Sequence, residues 1–175
     1  ALGLDPGFAR AHAALASAYV VMPGYTREED DEAKFLPLAV ASARQALSID
    51  PNIGEAHAVL AQINAERGNL LDAESGFFFA ISLEPNEPTP HHWYSLLLSR
   101  VGRLNLALDQ ARKAQELDPT SPVLAANLAG MYLMLGWAVL SIIDKLMHTL
   151  SPLGLGLLAA GGVLYTIGVI FHVNK

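Results

Sequence analysis

Large and small apolar positions recur at fixed steps through the first 136 residues. Leu15, Leu60, Tyr94 and Leu128 are each followed by a small residue: Ala16, Ala61, Ser95 and Ala129. Ala39, Ala73 and Ala107 recur further along, and Ala46, Ala80 and Ala114 follow each by seven residues. The acid–proline pairs Glu84-Pro85 and Asp118-Pro119 follow Asp50-Pro51 at intervals of 34 residues. Asp5-Pro6 precedes the first of these by 45, which is 34 plus an insertion of 11 at about 22–33. Two helices per unit are predicted. Small residues let the pair approach, Gly68, Gly102 and Gly136 turn the chain between them, and proline stops the second helix. Thr26 and Glu29 in the insertion fit a capping box for a short extra turn.

After Gly136 the amphipathic pattern ends. An apolar helix or linker is predicted over 137–152, broken at Pro152. Residues 153–173 then run for 21 positions without a formal charge. At about 1.5 Å per residue such a helix reaches the thickness of a bilayer core, so this stretch is a candidate transmembrane helix. Gly156 and Ala160 add a small-xxx-small pair suited to helix contact in lipid. Lys145 and Lys175 lie on either side, so the sequence assigns no orientation.

The 34-residue register with its large–small pair, mid-repeat glycine, paired alanines and closing proline resembles the tetratricopeptide repeat (TPR) over residues 1–136. It departs from that pattern in carrying His12, His57, His91 or Ala125 where an aromatic usually opens each unit, and Phe77 alone keeps the large aromatic of the second helix. The resemblance implies an all-α fold: a TPR-type α-solenoid of antiparallel helical hairpins, followed here by the apolar C-terminal transmembrane-type helix. A hairpin cannot bury its apolar face alone, and stacked hairpins leave a concave surface. A second resemblance covers about 137–173, where Gly161-Gly162-Val-Leu-Tyr165-Thr166-Ile-Gly168-Val-Ile-Phe171 is similar to a membrane helix of the hemolysin III family. That family's histidine-based metal site lies beyond the matched helix and is not carried over.

The chain has 17 acidic and 11 basic residues, a net charge of −6, and no cysteine. A basic stripe for nucleic acid is missing, and thiolate chemistry and disulfides are excluded. No histidine pair has metal-binding spacing on a helix, and His12, His57 and His91 share one repeat position, which suits packing. No phosphate loop or nucleophile elbow is present. The expectation is therefore a non-enzymatic chain with no cofactor, no metal and no small-molecule substrate. It would hold a protein or peptide in its concave groove and touch a lipid bilayer through 153–173, which places it at a membrane of unassigned side.

Helical spacing nominates Arg10, Ser17, Glu55, Gln62, Glu66, His92, Trp93, Arg100 and Asn127 for the groove, with Trp93 beside Arg100 as hot-spot chemistry. Two other readings fit the same residues. One is a fragment of a hemolysin III-like membrane protein fused to repeats, and the other is a soluble TPR domain capped by apolar C-terminal helices.

Overall fold

The computed structural model describes residues 3, 5, 7–26, 31–140, 149 and 151–173. Among the described residues all regular structure is helical. The order is α1 (Ala9–Val21), α2 (Pro23–Thr26), α3 (Asp31–Ile49), α4 (Gly54–Glu66), α5 (Leu70–Leu83), α6 (Pro88–Arg100), α7 (Leu104–Leu117), α8 (Pro122–Leu140) and α9 (Pro152–Val173). Three hairpins, α1/α3, α4/α5 and α6/α7, stack side by side, and α8 packs on α7.

The repeated small residues sit where these helices meet. Ala16, Ala39, Ala46, Ala61, Ala73, Ala80, Ser95, Ala107 and Ala114 are all buried. Phe77 is fully buried and stacks on Tyr94 of the next unit at 5.9 Å between ring centroids. The alanines bring backbones together, and this aromatic pair fills the space between two hairpins.

Gly68 and Gly102 take left-handed φ values of 82° and 79°. At each, the N–H of the residue after the glycine reaches back past the helix end. Asn69 N donates to Asn64 O and Arg103 N donates to Leu98 O, both at 2.9 Å. This is the Schellman stop that glycine makes inexpensive. Gly136 departs from the expected register: α8 passes through it and continues to Leu140. The expected turn is not made there.

The acid before each proline also has a structural use. Asp5, Asp50 and Asp118 accept hydrogen bonds from the backbone N–H two residues on, at 2.9, 2.9 and 3.2 Å. Such Asx turns form the bend between units. Glu84, one methylene longer, instead accepts from the backbone N–H of Glu55 at 3.0 Å.

The insertion contains α2. Thr26 closes α2, and Glu29, the other half of the expected capping box, lies outside the described residues, as do 141–148, half of the predicted linker. The expected membrane span requires a correction. Residues 153–173 are helical within α9, but side chains at 158 and 169–173 lie outside the described residues, and no helix among those described is long and apolar enough to cross a membrane. The polar Tyr165 hydroxyl donates to the backbone carbonyl of Tyr132 in α8 at 3.2 Å, and the two rings meet edge to face. The helix thus leans on the end of the solenoid, and the structure gives the lipid partner and the membrane location no support.

Candidate functional site

The first helices of successive units, α1, α4, α6 and α8, lie next to one another. Backbone packing joins α1 to α4 and α4 to α6. Asn127 Nδ2 donates to Ser95 Oγ at 3.1 Å across α8 and α6. Their register sorts side chains into rows that cross all four helices.

The row Val59, Trp93, Asn127 points into the stack, and its first member, Ala14, is exposed on α1 at the end of the array. Val59 is fully buried and Trp93 is 6% exposed. Trp93 is therefore a core residue, and its assignment to the groove is corrected. The repeat itself held the signal, because its equivalent Val59 is an ordinary core side chain. Asn127 is half-buried on the same row and held by Ser95, whose own hydroxyl donates to the His92 carbonyl at 2.6 Å.

Two rows stay accessible. Ser17, Gln62, Leu96 and Gly130 are half-exposed, and one helical turn further Val21, Glu66, Arg100 and Met134 are exposed. Gln62 Nε2 donates to Glu66 Oε1 at 3.0 Å, tying the two rows on α4. Arg100 has no ion pair among the described residues. His92 is half-buried at the edge of this strip, and desolvation holds its pKa below the usual histidine value.

At the first unit the nominated residues bind one another. Ser17 Oγ donates to Glu55 Oε1 at 2.7 Å, and Arg10 pairs with Glu84 at 3.0 Å. Glu55 has its carboxyl pKa raised by burial, an effect the Ser17 bond opposes and the nearby Glu87 and Glu84 reinforce. These residues join the first unit to the second and its closing corner, so their first duty is structural. Sequence reasoning missed Glu84, whose part in this joint is invisible until the α5–α6 corner folds back on α4.

The histidines are also structural. His57 Nε2 lies 2.9 Å from the Pro51 carbonyl, and His91 Nε2 lies 3.0 Å from that of Pro85. His91 Nδ1 is also 2.7 Å from Gln110 Oε1. Each ring caps the carbonyl of the proline six residues earlier. In the fourth unit Ala125 takes the place of histidine, and Gln115 Nε2 donates to the Pro119 carbonyl at 3.1 Å instead.

On the opposite side, α5 and Tyr94 border an open depression of about 540 Å³ that includes Leu71, Ser75, Phe78 and Phe79. Its carboxylate, Glu74, is already engaged by Arg103 and by the Tyr94 hydroxyl at 2.9 Å. Those two partners hold its pKa below the usual carboxylate value, Arg103 most strongly.

Compared with known protein families, the chain matches none. A stretch of 45 residues is 40% identical to the hemolysin-3 homolog of Bacillus subtilis (strain 168), covering 26% of this chain and 21% of that protein. The chain thus spans about a fifth of the length of that relative. Among solved structures it is similar to TTC0263, a thermophilic TPR protein of Thermus thermophilus. Identity is 24% and TM-score 0.59, over 75% of this chain and 68% of that one. It is also similar to MamA, with 16% identity and TM-score 0.57 over 99% and 83% of the two chains. A third is PilF of Pseudomonas aeruginosa, with 19% identity and TM-score 0.52 over 99% and 73%. At these identities the likeness is one of fold. The chain is an all-α, TPR-type solenoid.

Proposed function

We propose that the chain is a protein-interaction scaffold whose inner strip, formed by α1, α4, α6 and α8, receives a segment of a partner protein. One observation carries this reading: two adjacent rows remain accessible across four consecutive helices, beside a row whose central members Val59 and Trp93 are buried. A surface of this form offers side chains at regular steps to a linear ligand. Its polar groups, from Ser17, Gln62, Glu66 and Arg100, can fix register. Solenoids present such extended binding faces because each unit repeats the same geometry. The TPR-type fold shared with the structural neighbours supports it.

The chain's end fits the capped-solenoid reading better than a membrane tether. Tyr165 docks α9 on Tyr132 of α8, with its hydroxyl donating to the Tyr132 carbonyl.

The test is selection of peptides from a random displayed library on the full chain, followed by binding to two variants. Gln62→Arg obstructs the strip, whereas Lys113→Glu changes charge on the exposed side of α7. Selected peptides should lose at least about tenfold in affinity to the first and keep it for the second, since about 1.4 kcal/mol is tenfold. Equal binding to both would place the ligand elsewhere and end the proposal.

A further inference from the structure

Away from its contact with α8, α9 has little cover. Gly154 and Leu155 are half-buried, and the other described side chains from Pro152 to Gly168 are exposed. Leu153, Leu157, Ala160, Leu164 and Ile167 follow one another at steps of four, three, four and three. Those are the steps of an apolar a/d seam, the pattern by which helices interlock along their length. At 3.6 residues per turn all five lie about 80–160° round the helix from Tyr165, so docking on α8 leaves the seam free. Its four large members are 77, 68, 69 and 45% exposed in chain order.

The uncovered area is large. With Val163, 59% exposed, the large apolar side chains of α9 present on the order of 500 Å², the size of the largest patch on an ordinary monomer. Leu133, Met134 and Trp137 of α8 are 51–69% exposed. They bring the open apolar surface of the two helices to roughly 800 Å², which is what one partner contributes to a standard-size interface.

From this surface we infer that α9 is a self-association helix, whose seam packs against the same seam of a second copy across a two-fold axis. Two properties select that occupant. A two-fold contact uses one patch on both partners, and a seam on three-four steps interdigitates with its own copy. The charge pattern also favours it. The chain carries a net charge of −6, yet no Asp, Glu, Lys or Arg occurs between 146 and 174. Two copies meeting through α9 bring no like charges together there, whereas a foreign partner finds no charge on α9 by which to be recognised. Ala160, central in the seam, keeps the helix narrow where the two axes approach. The seam spans only two heptads, but α8 already supports α9, so the pair need not hold as an isolated coiled coil. The association is independent of the inner strip, and a dimer carries two such strips.

The experiment is sedimentation equilibrium of the full chain in detergent-free buffer, from about 1 to about 100 μM. Wild type should pass from monomer to dimer within that range. Leu157→Glu combined with Leu164→Glu sets two charges in the seam at exposed positions, and should raise the dimer Kd at least about tenfold. Leu71→Glu is the control for apolar surface in general, since Leu71 is 82% exposed on α5, and it should leave the dimer unchanged. Far-UV circular dichroism checks that each variant is folded. Equal weakening by Leu71→Glu overturns the seam as the contact, and a mass that climbs past two copies overturns the two-fold. A wild-type chain that stays monomeric throughout overturns the proposal outright. Flotation of that monomer with phosphatidylcholine vesicles would then assign the seam to lipid, and no flotation would assign it to a different protein.

Discussion

A close approach between the two helices of one hairpin sets up a sharp test of the packing argument. A Cβ built on Gly76 of α5 would lie 2.8 Å from the Cβ of Ala61 and 3.4 Å from its Cα in α4. Comfortable carbon–carbon contact begins at about 3.5 Å, so Gly76→Ala requires the helices to separate by about 0.7 Å. No rotamer relieves it, because both atoms are fixed to the backbone. Overpacking of this kind costs about 1–3 kcal/mol, against about 1 kcal/mol returned by the better helix propensity of alanine. The net expectation is a loss of about 1 kcal/mol.

Gly130 supplies the control. It also lies inside a helix, α8, but a Cβ there would meet nothing within 4 Å. Gly130→Ala should therefore gain up to about 1 kcal/mol from the same propensity difference. The same chemical change at two glycines is expected to have opposite signs. At roughly 2–4 °C per kcal/mol, the two variants should melt about 4–8 °C apart by helical circular dichroism. Ala61→Gly in the Gly76→Ala background removes one clashing methyl, so the double variant should lose less than the sum of the singles. If Gly76→Ala melts at or above wild type, the close-approach account is wrong.

Two further outcomes follow from buried polar groups. Burial raises the Glu55 pKa, so the folded chain holds that proton more tightly than the unfolded chain. The associated stability is complete below the ordinary carboxylate range and is lost as pH rises through the raised value. Glu55→Gln can still accept from Ser17 but does not ionise. Its melting temperature relative to wild type should climb between about pH 4 and about pH 8, and a flat difference would refute the assignment. His91→Ala removes the cap from the Pro85 carbonyl and leaves a buried cavity, at an expected cost of about 2–4 kcal/mol in urea unfolding. The more exposed His57 should cost less, and an equal loss would argue against burial as the cause.

The hairpins were legible because their determinants are local and repeated. Ala73 with Ala80, Gly68 and Pro85 each have counterparts 34 residues on, and the same contacts form at each. The histidines were also legible as packing groups, though not the carbonyls they cap. Trp93 was misjudged because helical spacing alone allows a row on either side of the groove edge, and tertiary packing decides between them. Glu84 and Gly76 were unreadable for another reason. Each acts on a residue from a different helix, Glu55 or Ala61, and nothing local marks the meeting. The apolar run 153–173 fixed a helix, but hydropathy alone does not identify the surface that receives Tyr165.

The unbroken passage of α8 through Gly136 has a practical bearing on lengthening the array. Elsewhere, a left-handed glycine reverses the chain and hands growth to the next hairpin. Here the helix runs on past the place where reversal was due, so another unit grafted behind it would start out of phase. A duplicated hairpin belongs instead at Asp118-Pro119, where the bend, the Gln115 bond and the alanine seam all present the geometry that an added module would expect.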